Sequence, residues 1–205
     1  LKDKGENYWE LTQPMSIELR EDLHKTYRHI LDELNANDKK IIVDKLPLRF
    51  LQSGFIKDLF PKAKFLFMQR HPLDVILSNF FQNYAPTKAF IHFGSVDEST
   101  NMYFKTMNLW NELKQNLGEN LKEVRYEDLT IDAESTMKEV CEFLNIEFYE
   151  SMLNKNARLQ AKNRISTNSY AQVSEDIYQH SQNRWLNYKT SFDFASADKY
   201  LHSLA

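Results

Sequence analysis

The sequence predicts a three-layer α/β fold in which a parallel sheet is flanked by helices. Short apolar runs typical of buried strands alternate with longer segments that have helical periodicity. Alternating strands and helices also imply right-handed crossovers between parallel strands. With 205 residues and no obvious linker, we expect a single domain over residues 1–205. Within it we expect a lead-in at 1–15, a core at 16–190 and a tail at 191–205.

The first half of the chain contains two predicted strands, and each is followed by a helix. Apolar residues at helical spacing predict the helices, and the continuous runs Ile-Ile-Val and Phe-Leu-Phe-Met predict the buried strands. Pro72 suits the first position of a helix, where its missing N–H has no intrahelical partner. The predicted elements are a helix at residues 15–35, strands at 40–45 and 65–68, and helices at 48–60 and 72–84.

The second half contains one more strand and several helices. Pro86 and Gly94 indicate a loop, and Gly118 suits the residue just beyond a helix C-terminus. The predicted elements are a loop at 85–97, a helix at 98–117, a strand at 121–126, and helices at 133–144, 147–160 and 183–190. Three strands are few for a parallel sheet covered on both faces. We therefore expect an N-terminally truncated fold, with a further N-terminal strand outside this sequence.

Composition excludes several classes of function. The formal net charge of −3 argues against a basic surface for nucleic acid. Cys141 is the single cysteine, which excludes an intramolecular disulfide and favours a reducing compartment, the cytoplasm. It shares a helical apolar face with Val140 and Leu144, so we expect a core residue. No apolar run approaches the roughly 20 residues of a membrane helix, and no signal peptide is visible.

One strand–turn–helix stretch, residues 65–82, is the strongest candidate for a binding site. Arg70 falls where the strand ends, and Ser78 lies on the same helix face as Asp74 and Gln82, away from the apolar stripe. A helix N-terminus beside an Arg and a hydroxyl favours anions, because free N–H groups and the helix dipole both attract negative charge. The residues alone leave a plainer alternative open, a salt-bridged surface Arg and a Ser without function.

Several short motifs follow one another along the chain. They are Val-Asp-Lys-Leu-Pro-Leu-Arg-Phe at 43–50, Leu-Phe-Pro-Lys-Ala-Lys-Phe at 59–65, the Arg-x7-Ser spacing from Arg70, Glu-Val-Arg-Tyr-Glu-Asp-Leu at 123–129, Ser-Thr-Asn-Ser-Tyr-Ala-Gln-Val at 166–173, Ile-Tyr at 177–178 and Arg-Trp at 184–185. In this order they resemble motifs of the sulfotransferases that use 3'-phosphoadenosine-5'-phosphosulfate (PAPS). The resemblance is to bacterial sulfotransferases, including those associated with tetratricopeptide repeats, and more distantly to tyrosylprotein sulfotransferases. It implies a P-loop-NTPase-like sulfotransferase fold.

The resemblance implies a role for eight residues. Lys45 and Ser169 match catalytic positions of the tyrosylprotein enzymes. In sulfuryl transfer the bridging oxygen gains negative charge, which a cation and a hydroxyl stabilise without a metal. The other six residues are implied to bind the donor: Arg70 and Ser78 at its 3'-phosphate, Tyr126 against the nucleotide, Tyr170 and Gln172 in a wrapping loop with Ser169, and Arg184 at phosphate charge.

The sequence also departs from the family pattern. Its four glycines are far apart, so it holds no glycine-rich loop for the 5'-phosphosulfate. His71 stands where the family usually has Asp, and Gln82 stands where the tyrosylprotein enzymes carry another phosphate-binding Arg. The acidic general base of those enzymes lies upstream of this region. These departures leave open a catalytically inactive nucleotide-binding or interaction module derived from the same fold.

The function that the resemblance implies is transfer of a sulfuryl group from PAPS to a hydroxyl acceptor, with adenosine 3',5'-bisphosphate as product. The acceptor is a peptide tyrosine, a sugar or a small molecule, with no nucleic acid, membrane or metal involved. A phosphate-transferring kinase is disfavoured, because only Glu127 and Asp128 suggest magnesium ligands. Those two acids are better interpreted as a helix-capping or structural pair.

Overall fold

The computed structural model describes residues 15–34, 41–82, 91–154 and 181–191. Helices and two strands alternate in these ranges. The helices are α1 (Ile17–Glu33), α2 (Ser53–Leu59), α3 (Pro72–Phe81), α4 (Val96–Leu113), α5 (Tyr126–Ile131) and α6 (Ala133–Leu144), and the strands are β1 (Phe65–Gln69) and β2 (Leu121–Arg125). Short 3-10 turns lie at Arg49–Gln52, Ile91–Phe93, Lys114–Asn116, Gly118–Asn120, Glu150–Met152 and Arg184–Tyr188.

The two strands pair in one parallel sheet, and the helical crossover between them is the connection that parallel strands need. This arrangement confirms the α/β prediction. Phe65, Phe67 and Gln69 are half-buried, whereas Leu66 and Met68 are 47% and 53% exposed. The prediction that β1 is covered on both faces was therefore wrong, because no layer of the described residues covers its second face.

The chain divides into two compact units, and the first comprises residues 1–65 and 109–121. In it α1 is tied to α2 by an ion pair of 2.8 Å between Arg20 and Asp58. A hydrogen bond of 2.7 Å joins the His24 ring to the carbonyl of Leu59. Trp110 is buried, with its ring 5.6 Å from that of Phe50 in an edge-on contact. Lys45 lies in the irregular segment that precedes α2.

The predicted strand at residues 40–45 is not found in the described residues 41–46, which form neither helix nor strand. Ile41, Ile42 and Val43 are 60%, 44% and 84% exposed. An apolar run becomes a buried strand only where neighbouring strands accept its hydrogen bonds, and the described sheet contains only β1 and β2. The prediction of a buried strand here was wrong.

The second unit comprises residues 66–108 and 122–205. Its core lies between α3 and α4, and half-buried side chains, including Tyr103 and Trp185, pack on it. The buried core residues are Leu73, Ile76, Leu77, Val96 and Phe104. Among them, α3 contributes residues at the spacing that the sequence predicted. Cys141 is 2% exposed in α6, as expected of a core residue.

Most other boundaries agree with the sequence within a few residues. One difference is α5, which begins directly at Tyr126 where a strand end was expected. The helices predicted at 147–160 and 183–190 are only 3-10 turns, Glu150–Met152 and Arg184–Tyr188, in the described residues, and residues 155–160 lie outside them. Gly118 has φ of +53°, the left-handed conformation that its predicted place beyond a helix favours. None of the helices in the described part of the chain is long and apolar enough to cross a membrane.

Candidate functional site

The candidate site lies where β1 and β2 end and the next helices begin. Arg70 follows β1 and Tyr126 follows β2 directly. Because neighbouring parallel strands end at the same edge of a sheet, the two side chains meet there. The guanidinium carbon of Arg70 lies 5.0 Å from the centroid of the Tyr126 ring, within the range of a cation–π contact. The structure thus brings together two of the predicted donor-binding residues.

The hydrogen bonds of Arg70 leave part of its guanidinium unused. One terminal nitrogen donates to the carbonyl of Ser181. The Nε–H is buried and has no partner among the described residues. A buried donor without a partner costs free energy, and an oxyanion would satisfy it with a charge-assisted hydrogen bond. This geometry suits an anion-binding role for Arg70.

Glu127 connects the beginnings of two helices. Its Oε1 accepts a hydrogen bond of 2.9 Å from the backbone N–H of His71, the residue just before α3. Its other carboxylate oxygen lies 4.0 Å from Nε of Arg125. These contacts agree with the structural role expected for Glu127, while Asp128 is exposed. By binding the backbone of His71, the residue after Arg70, Glu127 therefore fixes the turn that carries Arg70.

Glu127 also affects Tyr103 on α4. Burial raises the pKa of Tyr103 to about 12, and the negative charge of Glu127 adds to the rise. Between pH 10 and 12 the unfolded chain would lose this phenol proton while the folded chain keeps it. We therefore expect the free energy of unfolding to fall as the pH rises through this window.

A titration followed by phenolate absorbance tests the raised pKa of Tyr103 on which this prediction rests. The titration of Tyr103→Phe, subtracted from that of the unchanged protein, should show no tyrosine step near pH 10, the ordinary value. A Glu127→Gln variant should move the Tyr103 step towards lower pH, because it removes the second cause. A difference step centred near pH 10 in the unchanged protein would contradict the assignment.

Residues 181–188, called here the C-terminal segment, pack on the start of α3. The backbone N–H of Trp185 donates to Oδ1 of Asp74 at 2.9 Å, and the rings of Trp185 and His71 stack with centroids 5.3 Å apart. The side-chain amide of Gln182 donates to the carbonyl of Glu127 at 3.3 Å and to the hydroxyl of Thr130. The segment thereby reaches both helix starts that frame Arg70.

The other predicted site residues have different surroundings. Arg184 is half-buried, with its guanidinium carbon 5.4 Å from the centroid of the Phe81 ring. Ser78 is half-buried in α3, and no described hydrogen bond joins it to Arg70. Lys45 is exposed and belongs to the first unit. The predicted residues outside the described ranges are Ser169, Tyr170 and Gln172.

The sequence prediction missed the buried position of Asp74. The helical spacing placed it with Ser78 on a face away from the apolar stripe, yet it is 1% exposed. The helical pattern carried no signal for this burial, and the described contact at Asp74 comes from Trp185 of the C-terminal segment. The contact between Glu127 and His71 was also missed, since no local pattern relates the two residues. Within the described ranges, no three His, Cys, Asp or Glu side chains group as metal ligands.

Comparison with known proteins identifies the family. The family described as "Sulfotransferase family" matches residues 6–150. An uncharacterized protein of Aquifex aeolicus (strain VF5) is 30% identical over 152 residues. The match covers 72% of this chain, which spans only 19% of that relative's length.

A solved structure supports the same fold. The "Sulfotransferase Domain from the Curacin Biosynthetic Pathway" superimposes with a TM-score of 0.63 at 18% sequence identity. The superposition covers 89% of this chain and 67% of that one. At this level of identity the likeness establishes the fold alone. Together with the family match over most of the sequence, it shows that the chain belongs to the sulfotransferase family and has its α/β fold.

Proposed function

We propose that this chain carries the 3'-phosphate half of a PAPS site and that the protein transfers a sulfuryl group from PAPS to a hydroxyl acceptor. The observation that carries the proposal is the geometry of Arg70. Its guanidinium lies over the Tyr126 ring, and its buried Nε–H has no partner among the described residues. A phosphate oxygen would satisfy this donor. The adjacent start of α3 adds the positive end of a helix dipole.

The site suits a phosphate because Arg70 offers a hydrogen-bond donor without a described partner, although acidic residues are also present. Asp74 lies in the first turn of the helix that follows Arg70, and Glu127 bonds to His71, the residue next to Arg70; both carboxylates accept from backbone N–H groups. Their charges are thus partly compensated without using Arg70. In this proposal Ser78 joins Arg70 at the 3'-phosphate, and Arg184 offsets further phosphate charge.

The remaining assignments complete the proposal. Tyr126 would hold the nucleotide, and a loop with Ser169, Tyr170 and Gln172 would wrap the donor. PAPS supplies the sulfuryl group, and Lys45 and Ser169 would stabilise the negative charge on the oxygen that leaves it. The acceptor would be a peptide tyrosine, a sugar or a small alcohol, and the protein would act in the cytoplasm without a metal.

Calorimetric titration with adenosine 3',5'-bisphosphate tests the donor half of the proposal. Adenosine 5'-monophosphate is the matched control, because it lacks only the 3'-phosphate. We expect binding of the bisphosphate to be tighter, since hydrogen bonds to charged groups contribute about 1.5–3 kcal/mol each. Equal affinity for the two nucleotides would contradict the proposed site. Turnover in the presence of PAPS and hydroxyl acceptors then separates an enzyme from an inactive binding module.

A further inference from the structure

Asp74 is a buried acidic residue in the first turn of α3. It is 1% exposed, between core residues Leu73 and Ile76 in the same helix. Burying a charged group is costly unless hydrogen bonds or an opposite charge compensate for it. Oδ1 accepts the backbone N–H of Trp185 at 2.9 Å, and Oδ2 has no partner among the described residues. Among the described residues, the backbone N–H of Trp185 is thus the hydrogen-bond donor that the Asp74 carboxylate has.

The start of α3 explains why Asp74 is available for this contact. It is the third residue of the helix, where an acidic side chain commonly bonds back to the backbone N–H of the residue before the helix. Here that N–H belongs to His71 and is already taken by Glu127. Asp74 is therefore free to accept from another segment, while the positive end of the helix dipole still favours its charge.

Two hydrogen bonds hold the backbone of the C-terminal segment, one to Asp74 and one to Arg70, and they differ in what a bound phosphate would do to them. The carbonyl of Ser181 is held by Arg70, a residue that we propose to bind phosphate. The N–H of Trp185 donates to the carboxylate of Asp74, which would not bind a phosphate because two anions repel each other. The Asp74 contact can therefore persist while Arg70 takes up a ligand. Ring contacts, such as Tyr188 against Phe81 at 5.2 Å between centroids, add apolar packing.

We infer that Asp74 is a positioning residue, which anchors the C-terminal segment on α3 and so holds Ser181 and Gln182 beside the Arg70 site. The anchor follows from the contacts alone. Its consequence for ligand binding rests on the proposed function. The inference gives Asp74 a role that needs no contact with the donor.

Amide exchange of Trp185 tests the anchor without any ligand. Selective 15N labelling of tryptophan yields three backbone signals, from Trp9, Trp110 and Trp185. In the unchanged protein we expect the Trp185 amide to exchange at least about 100-fold more slowly than in an unfolded peptide. Asp74→Leu, which keeps the branched shape but removes the acceptor, should accelerate that exchange by at least about tenfold. Asp74→Asn, which keeps an acceptor oxygen, should preserve the protection.

The Trp110 amide serves as the internal control, because it lies in α4 and is remote in sequence from the anchor. Its exchange should be the same in all three proteins. Unprotected Trp185 in the unchanged protein would overturn the inference even if the leucine variant failed to fold. Equal protection of Trp185 in a folded leucine variant would overturn it as well.

Calorimetry with adenosine 3',5'-bisphosphate tests the consequence for binding. Asp74→Leu should weaken affinity by about tenfold, as expected when a binding segment must first be ordered. Asp74→Asn should restore affinity to within about threefold, and Asp128→Asn, an exposed acid on α5, should have no effect. Unchanged affinity in a leucine variant that has lost Trp185 protection would overturn the positioning role. If the unchanged protein does not bind the bisphosphate, the proposed function fails, and the exchange experiment still decides on the anchor.

Discussion

Replacing Arg70 with alanine is expected to weaken binding of adenosine 3',5'-bisphosphate by about 1.5–3 kcal/mol, or roughly 10- to 150-fold. The reason is that the variant loses a charged donor group whose Nε–H is buried and unpartnered in the described structure. Affinity for adenosine 5'-monophosphate should change much less, because that nucleotide lacks the 3'-phosphate. Calorimetric titration of both nucleotides measures the difference directly.

Arg125 provides a matched control for this experiment. It ends β2 as Arg70 follows β1, but its side chain is 64% exposed. Arg125→Ala removes the same charge from the same edge of the sheet, so a purely long-range electrostatic effect would appear in both variants. Arg70→Lys should give an intermediate loss, since Lys keeps the charge without the planar set of donors. Equal losses for the bisphosphate and the monophosphate in Arg70→Ala would remove the phosphate assignment.

The sequence predicted β1 and α3 well because their signals are local. The apolar run of the strand, Pro72 at the first helical position, and the spacing of Leu73, Ile76 and Leu77 lie within a few residues of each other. The meeting of Arg70 and Tyr126 was also predictable, because it follows from the ends of paired parallel strands. The local pattern pointed to Arg70, and the resemblance to sulfotransferases supplied Tyr126.

The missed features depend on contacts between distant parts of the chain. Asp74 looks like a polar-face residue in its own helix, yet it is buried and bonded to the C-terminal segment, more than a hundred residues later. Glu127 looks like a helix cap, and its bond to His71 requires the two strands to be paired. The apolar residues 41–43 satisfy the pattern of a strand, but the described sheet gives them no neighbour. In each case the deciding partner is absent from the local sequence.

Replacing Lys45 with alanine is expected to lower the turnover of sulfuryl transfer by about 100- to 1000-fold, the range for removing one donor that stabilises a developing oxyanion. Affinity for adenosine 3',5'-bisphosphate should change by less than about threefold, because a charge that forms only in the transition state is absent from the bound product. Lys45 is exposed in the described structure. The measurement is the initial rate of bisphosphate release from PAPS with tyrosine peptides, sugars and small alcohols as acceptors.

The Lys45 experiment separates catalysis from simple binding through kcat and KM. Lys62→Ala is the matched control, since Lys62 is another exposed lysine of the same unit. It should leave both constants unchanged. Lys45→Arg keeps the positive charge and should recover part of the lost kcat if charge is what stabilises the leaving oxygen. A defect of Lys45→Ala confined to KM would mean that Lys45 only helps to hold the substrate, because uniform binding affects ground and transition states equally.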